Sequence, residues 1–242
     1  MMMFYFYPFT WTHHAYYQQA YESEVRTPQI QQIDWHKRYP SEVILKGPSS
    51  VRSVALTFDD GPDQTWTPQI ANILGKFKVQ ATFFVLGSQV KANPSILRHL
   101  DQQGHEIGNH TWDHPLLTKI STAEVKRQIQ QTDQIIHQVI GKQTRLFRPP
   151  YGALSNSIIH TVKQLNHKII LWNVDSLDWK GVSTNTMVQN VLSHTSPGSI
   201  LLFHSAYGRS GLGNTVAALP QIIQRLRSNN FSFRTVSSLI NL

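Results

Sequence analysis

Residues 54–62, with the sequence VALTFDDGP, contain the change from strand to turn on which the predicted fold depends. Every second residue from Val54 to Phe58 is large and apolar, a pattern typical of a β-strand, and the Gly-Pro pair that follows predicts a tight turn. Asp59 and Asp60 therefore lie where a strand gives way to a loop. Adjacent carboxylates repel unless a cation or a shared proton offsets the repulsion, so the pair indicates a metal ligand beside a general base. An ordinary surface turn is the alternative, because Asp, Gly and Pro are common turn residues.

The length and composition indicate one basic domain. A chain of 242 residues can bury a full core, and single α/β barrels are commonly of this size. Its 22 Lys and Arg against 14 Asp and Glu give a formal charge of +8, which favours a polyanionic neighbour such as a membrane surface or an acidic cell-wall polymer. Nucleic acid is disfavoured as a partner, because the sequence has no run of five Lys or Arg and no nucleic-acid motif. The absence of cysteine excludes disulfides, thiolate metal sites and cysteine nucleophiles.

The first 17 residues are rich in aromatic side chains but suit neither a membrane span nor an ordinary signal peptide. Pro8 and several polar residues interrupt the apolar run, which falls short of the ~20 residues that cross a bilayer, and no Lys or Arg precedes Arg26. A trimmed or mis-started export segment, an interfacial anchor and a segment packed on the domain all remain open. We expect residues 1–50 to be a lead-in or a remnant of such a segment, with one short strand at Val43 to Leu45, and residues 51–242 to form the domain that carries the site.

From residue 53 onward, strand patterns alternate with helix patterns. In the first helix pattern, Thr67 is the expected N-cap and Pro68 the expected first helical residue. The short apolar runs Ile169 to Val174 and Ser199 to Phe203 each predict one buried strand. This alternation is typical of a parallel sheet, so we expect an α/β fold, a distorted TIM-like (β/α) barrel of seven or eight strands in a single domain.

Polar and charged residues follow the carboxyl ends of several predicted strands. In α/β barrels these ends converge on one mouth, where active sites are built. Residues far apart in the sequence are therefore expected to meet there: Asp59, Asp60, His110, His114, Arg148, Asp175, Asp178 and His204.

His110 and His114 are four residues apart, so on a helical turn both imidazoles would point the same way and could share a metal ion. An ordinary turn with two surface histidines would have the same spacing. With Asp60 as a third ligand, they form a set of two histidines and one carboxylate that leaves positions open for water and substrate. Such a set suits Zn²⁺ and would also hold Fe, Co or Ni. Zn²⁺ lowers the pKa of bound water toward ~7 and polarises a carbonyl, which are the effects that an amide hydrolase needs.

Five motifs stand in order along the chain: TFDDGP at 57–62, HTWDH at 110–114, RPPYG at 148–152, DSLDW at 175–179 and LFH at 202–204. Together they resemble the motifs of the polysaccharide deacetylases, the carbohydrate esterases of family four, which include the nodulation-type chitooligosaccharide deacetylases. The resemblance extends from about Val54 to Leu239.

For the reaction centre, the resemblance implies that Asp59 is the general base and that Asp60, His110 and His114 bind the metal. The metal would be Zn²⁺, or another divalent ion such as Co²⁺. Arg148 would pair with Asp59 and favour its ionised form, as a base requires. An arginine before two prolines could also simply brace the fold.

On the other side of the centre, the resemblance implies that Asp178 holds His204 as the general acid and favours the imidazolium that protonates the leaving amine. The backbone amide of Tyr151 would help to stabilise the oxyanion. Trp179 would form a wall of the pocket. Leu202 would line the slot for the acetyl methyl group, although a leucine here would be core in any barrel strand. The first carboxylate of the DSLDW motif receives no role from the resemblance.

The resulting prediction is a metal-dependent N-deacetylase, a hydrolase of non-peptide carbon–nitrogen bonds that acts on N-acetylglucosamine or N-acetylmuramic units of a polysaccharide. The basic charge favours peptidoglycan as the substrate, with chitooligosaccharides second. An esterase of O-acetylated sugars or another amide hydrolase could use the same site, and a non-catalytic wall-binding module is the alternative outside enzymes. Asp59 and His204 disfavour that module, because a binder needs neither base nor acid. We further expect a monomer with wall or peripheral membrane association and an extracellular or cell-wall location.

Overall fold

The computed structural model describes residues 34–206 and 211–242, and one compact unit runs from Trp35 to Leu242. The strands are β1 (Val43–Ile44), β2 (Ser53–Asp59), β3 (Thr82–Val85), β4 (Glu106–Asn109), β5 (Leu146–Phe147), β6 (Lys168–Ile170), β7 (Val174–Asp175), β8 (Ile200–His204) and β9 (Ser232–Phe233). The α-helices are α1 (Trp35–Arg38), α2 (Trp66–Lys76), α3 (Gly87–Ala92), α4 (Pro94–Gln102), α5 (Thr122–Ile140), α6 (Asn156–Gln164), α7 (Thr184–His194), α8 (Gly213–Ser228) and α9 (Val236–Ile240). Single turns of 3-10 helix occupy Leu117–Lys119, Pro150–Gly152 and Asp178–Lys180.

All strand pairs in the described residues are parallel, as the alternation of strands and helices predicts. The strand order is β1-β6-β5-β4-β3-β2-β8-β7, and β9 pairs with β2. β6 and β7 lie near opposite ends of this path, yet only Leu171 to Asn173 join them, and such a link spans at most ~14 Å. The sheet must therefore curl until its two ends are close, which confirms the predicted barrel-like fold.

The apolar run from Ile169 to Val174 is not the single strand that its composition predicts. Ile170 and Leu171 direct their carbonyl groups to the Arg148 side chain. Beyond them, the Asn173 amide donates to a carbonyl of β8, so the chain leaves β6 and joins the opposite end of the sheet as β7. An apolar run indicates burial, but it does not state which neighbours the strand will have, and here the neighbours change midway.

Helix α2 begins at Trp66 and not at Pro68. The reason is the carboxylate of Asp63, whose Oδ1 accepts hydrogen bonds from the amides of Trp66 and Thr67 at 2.7 and 2.8 Å. The predicted cap residue Thr67 instead donates its hydroxyl to the carbonyl of Ser205. This bond ties the first turn of the helix to the end of β8.

Strand β2 lies between β3 and β8 and is buried along its whole length, Ser53–Asp59. The alternating pattern of its sequence therefore does not separate a core face from a solvent face. The ring of Phe58 stacks on those of Phe83 and Phe203, with centroids 5.1 and 5.6 Å apart, and this packing fixes β2 between β3 and β8. Asp59 at the end of β2 and Asp60 directly after it are thus held by a closely packed strand.

Residues that precede the predicted domain boundary also pack in the compact unit. The short strand predicted at Val43 to Leu45 is observed as β1, which pairs with β6. A boundary between residues 50 and 51 stays a prediction, and the aromatic segment at residues 1–17 lies outside the described residues. Among the helices of the described part of the chain, none combines the length and the apolar character that a membrane span requires.

Candidate metal and catalytic site

The predicted site residues lie at the carboxyl edge of the sheet. β2 ends at Asp59, β8 ends at His204, and the loops after β4 and β5 carry the remaining histidines and Arg148. Because parallel strands present their carboxyl ends at the same edge, these side chains meet there although the sequence separates them by up to 145 positions, from residue 59 to residue 204.

Asp60, His110 and His114 form a buried cluster whose candidate ligand atoms lie within 4.8 Å of one another. Asp60 Oδ1 lies 3.5 Å from the Nε2 atoms of both histidines, yet it makes no hydrogen bond within the described residues. A buried carboxylate oxygen is costly unless a hydrogen bond or a cation compensates it. The arrangement therefore fits a divalent metal ion, and two imidazoles with one carboxylate suit Zn²⁺, Fe, Co or Ni.

The two histidines do not lie on a helical turn, so that part of the prediction is wrong. Thr111 and His114 both adopt left-handed backbone conformations, with φ of 75° and 63°. The Asn109 side chain accepts the Thr111 amide at 2.8 Å, and the Thr111 hydroxyl accepts the His114 amide at 3.2 Å. This folded loop brings the ring centroids of His110 and His114 to 4.9 Å.

The position of its proton and its lowered pKa suit His110 to bind a metal ion. Its Nδ1 lies 2.7 Å from the carbonyl oxygen of Arg148, which requires a proton on Nδ1 and leaves the lone pair on Nε2, the atom that faces Asp60. Burial lowers the pKa of His110 to about 4, so the imidazole is neutral at pH 7. Burial also raises the pKa of Asp60 to about 7. A bound cation would favour the ionised form of this carboxylate.

Asp59 and Arg148 form a buried ion pair beside the cluster. Arg148 Nη1 donates to Asp59 Oδ1 at 2.8 Å, and the arginine side chain is fully buried. The second carboxylate oxygen, Oδ2, lies 3.7 Å from His110 Nε2. One oxygen of Asp59 is thus occupied by the guanidinium, and the other faces the candidate metal ligands.

Arg148 has further partners that the sequence did not predict. Its Nη1 also donates to the Thr57 hydroxyl at 2.8 Å, and its guanidinium carbon lies 4.1 and 5.5 Å from the ring centroids of Phe84 and Trp172. Thr57 gave a signal in the sequence, as the polar residue in the otherwise apolar run from Val54 to Phe58. Trp172 gave none, because it lies in the break between β6 and β7.

Asp178 and His204 form the second charged pair of the site. Asp178 Oδ1 lies 2.7 Å from His204 Nδ1, and Oδ2 accepts the backbone amide of His204 at 2.8 Å. Burial acts to lower the pKa of His204, but Asp178, then Asp60 and Asp59, outweigh it and raise the pKa to about 10. His204 is a register partner of Asp59 in the neighbouring strand, so the two pairs lie side by side.

The residues predicted to bind substrate lie around the same edge. The ring centroid of Tyr151 is 4.6 Å from that of His114, and Tyr151 has a left-handed φ of 60° within the turn Pro150–Gly152. Trp179 is half-buried in the 3-10 turn after β7, and Leu202 is buried in β8. Asp175, to which the sequence assigned no role, ends β7 and contacts Trp179. The roles proposed for the Tyr151 amide, Trp179 and Leu202 stay predictions.

Comparison with known proteins identifies a family. The family model described as polysaccharide deacetylase matches residues 46–170. A peptidoglycan-N-acetylglucosamine deacetylase of Bacillus cereus is 38% identical over 233 residues, which cover 93% of this chain and 82% of the relative. A chitooligosaccharide deacetylase of Sinorhizobium fredii is 33% identical over 216 residues, covering 86% of this chain and 98% of the relative.

A solved structure shows the same architecture. It is the crystal structure of a peptidoglycan N-acetylglucosamine deacetylase in complex with 4-naphthalen-1-yl-N-oxidanyl-benzamide. The two folds superpose with a TM-score of 0.82 at 39% sequence identity, covering 86% of this chain and 95% of the other.

Proposed function

We propose that this chain, which belongs to the polysaccharide deacetylase family, is a metal-dependent hydrolase that removes acetyl groups from N-acetylated sugar units of a polysaccharide. The main support for the proposal is the buried cluster of Asp60, His110 and His114. Two charged pairs lie beside it, and one can supply a base whereas the other can supply an acid. Arg148 compensates a carboxylate in one pair, and Asp178 supports an imidazolium in the other. A hydrolase of an amide needs such a base and such an acid.

The base in this proposal is Asp59. Its Oδ1 is held by Arg148, so Oδ2 is the oxygen that takes a proton from the attacking water. The ion pair fixes the orientation of the Asp59 carboxylate. When bound to Asp60, His110 and His114, a divalent ion supplies polarisation of the acetyl carbonyl and a lowered pKa for water.

The acid is His204. Its Nδ1 is held by Asp178, so Nε2 is the atom that carries the proton to the leaving nitrogen. The water oxygen forms a bond to the acetyl carbon, the carbon–nitrogen bond breaks, and the sugar nitrogen receives its proton from His204. The products are acetate and a free amine. A backbone amide at Tyr151 would stabilise the developing oxyanion as a fixed donor.

We propose peptidoglycan as the preferred polymer and chitooligosaccharides as the second choice. The names of the relatives support both, since one is a peptidoglycan deacetylase and the other a chitooligosaccharide deacetylase. The formal charge of +8 favours the peptidoglycan of an anionic wall. The same reasoning supports an extracellular or wall-associated location, which cell fractionation would test.

The experiment is acetate release by the purified full chain from peptidoglycan and from chitooligosaccharides, with added Zn²⁺ or Co²⁺ and with chelator. Release that depends on metal is expected, and the faster substrate names the polymer class. A parallel assay with O-acetylated sugars separates the amide hydrolase from an esterase. Absence of release from every substrate, with metal shown to be bound, would contradict the proposal.

An inhibitor assay examines the metal centre separately. The ligand of the related crystal structure, 4-naphthalen-1-yl-N-oxidanyl-benzamide, has an N-hydroxy amide group, and such groups chelate divalent ions. We expect it to bind the metal-loaded protein and to bind the protein much more weakly after a chelator has removed the metal. Equal binding to both forms would show that its affinity does not come from a metal at this site.

A further inference from the structure

Asp175 is a charged side chain at the site that the proposed reaction does not use. It ends β7 and begins the DSLDW motif, which also supplies Asp178 and Trp179. Its Oδ1 accepts the Leu177 amide at 2.8 Å, and its Oδ2 accepts the indole Nε1 of Trp179 at 3.3 Å. Both oxygens of one carboxylate are therefore bonded to the turn that follows.

The turn needs such support because its backbone is strained. Leu177 has φ 62° and ψ 19°, a left-handed conformation that costs a non-glycine residue about 1–2 kcal/mol. The Ser176 hydroxyl accepts the Asp178 amide at 3.2 Å, and the carbonyl of Asp175 accepts the side-chain amide of Asn190 on α7. The turn thus has a bond of its own between Ser176 and Asp178, and the end of β7 from which it starts is tied to a helix.

Two groups of the proposed reaction depend on this turn. It places Asp178 within 2.7 Å of His204 Nδ1. It also carries Trp179, whose half-buried indole lies at the carboxyl edge of the sheet where the substrate must arrive. The hydrogen bond that Nε1 donates limits rotation of the ring, and a fixed aromatic ring offers its face to an incoming sugar at little entropic cost.

We propose that Asp175 is a positioning residue that orients the indole of Trp179 for the polysaccharide and holds the turn that presents Asp178 to His204. The proposal rests on the proposed function. It deepens that function by assigning part of substrate recognition to a carboxylate that does not touch the reacting atoms.

Two substitutions separate the bonds of Asp175. Asp175→Asn keeps the size of the side chain and an oxygen for the Leu177 amide, but its NH₂ group then faces the Nε1 donor of Trp179, so only the indole bond is lost. Trp179→Phe keeps an aromatic ring and removes the donor. If Asp175 acts through the indole, its substitution should have little further effect in a protein that already carries Trp179→Phe.

The readouts are the indole ¹⁵N–¹H resonance of Trp179, assigned by its loss in Trp179→Phe, and kcat and KM for the polymer that the wild type deacetylates. Asp175→Asn should shift that resonance and raise KM about 10-fold, the order expected for one hydrogen bond to a charged group. We expect kcat to change less than about 3-fold. In the double variant, Asp175→Asn should raise KM by less than about 2-fold over Trp179→Phe alone. Asp101→Asn, in a carboxylate that pairs with Lys142, is the matched control and should change none of these values.

An unchanged Trp179 resonance in Asp175→Asn would overturn the proposal, as would an equal effect of Asp175→Asn on KM in both backgrounds. Asp175→Ala, which also removes the acceptor of the Leu177 amide, should lower kcat as well as raise KM. The resonance reports the indole bond without any turnover. Failure of the proposed function would therefore appear as absent acetate release with a shifted resonance, and failure of the Asp175 proposal as active enzyme with an unshifted one.

Discussion

Replacing Arg148 with methionine should lower the free energy of unfolding by about 3–5 kcal/mol, the usual cost of removing one partner of a buried ion pair. Methionine keeps much of the apolar stem and removes the guanidinium. That group makes four hydrogen bonds in the wild type, to Asp59, Thr57 and the carbonyls of Ile170 and Leu171. Its loss leaves the carboxylate of Asp59, which is 3% exposed, without its cation.

A surface ion pair shows why burial determines the stability loss expected for Arg148→Met. Lys163 and Glu42 approach as closely as 2.6 Å, but the lysine side chain is 64% exposed. Water and salt screen such a pair, so Lys163→Met should cost no more than about 1 kcal/mol. The Arg148 pair, at 2.8 Å with an arginine side chain that is 0% exposed, has no such screening.

The assay is guanidinium unfolding followed by circular dichroism at pH 7 with chelator present, because a metal bound only to the folded state would mask the difference. In the Asp59→Asn background, Arg148→Met should cost about 1–3 kcal/mol less, since no charge is then left uncompensated. A cost for Arg148→Met as small as that of the Lys163→Met control would show that burial does not set the strength of this pair. The same cost in both backgrounds would show that the loss does not come from an uncompensated Asp59.

The remaining predictions concern protonation, metal affinity and backbone geometry. In metal-free protein, an NMR titration should give His204 a pKa near 10, and Asp178→Asn should lower it. An unfolded histidine titrates near 6.5, so the pairing of His204 with Asp178 stabilises the fold fully below about pH 6.5, and this contribution is lost as the pH rises toward 10. An unaltered pKa of His204 in Asp178→Asn would contradict the assignment of Asp178 as its partner. Asn109→Ala removes the acceptor that holds the metal-ligand loop and should weaken Zn²⁺ affinity about 10- to 100-fold by calorimetry, whereas an affinity within about twofold of wild type would exclude this support. Gly198→Ala should lower the melting temperature more than Gly141→Ala. Both glycines have a left-handed φ, but a Cβ at Gly198 would overlap the backbone carbonyl of Gly47, whereas a Cβ at Gly141 would have no atom within 4 Å. Equal losses of melting temperature would contradict this steric argument.

The sequence predicted which polar residues would meet at one edge of the sheet, because parallel topology makes the positions of strand ends informative. A polar residue directly after an apolar run, such as Asp59 after β2 or His204 at the end of β8, lies at the mouth whatever the details of packing. The same reasoning placed His110, His114 and Arg148 there, and the resemblance to the deacetylase motifs suggested their roles. These features can be recognised in a single sequence because they depend on neighbouring residues along the chain.

The parts that the sequence did not predict depend on tertiary partners or on the conformation of single turns and loops. The break after Ile170 follows from a change of strand neighbours, and the first turn of α2 follows from the carboxylate of Asp63. His110 and His114 converge through left-handed residues in a loop, a conformation that their spacing does not encode. The contact between Asp175 and Trp179 is also local in sequence, but only the geometry of the turn shows that it exists.

In the proposed reaction, Asp59 acts as the base while a separate set of side chains holds the metal, and this division of roles can be tested on single preparations. Acetate release and metal content by elemental analysis would be measured together on Asp59→Asn, with His110→Ala for contrast. We predict that Asp59→Asn retains the metal and loses at least about 100-fold in acetate release, and that His110→Ala loses metal and activity together. Wild-type turnover by Asp59→Asn, or loss of its metal, would contradict the division of roles.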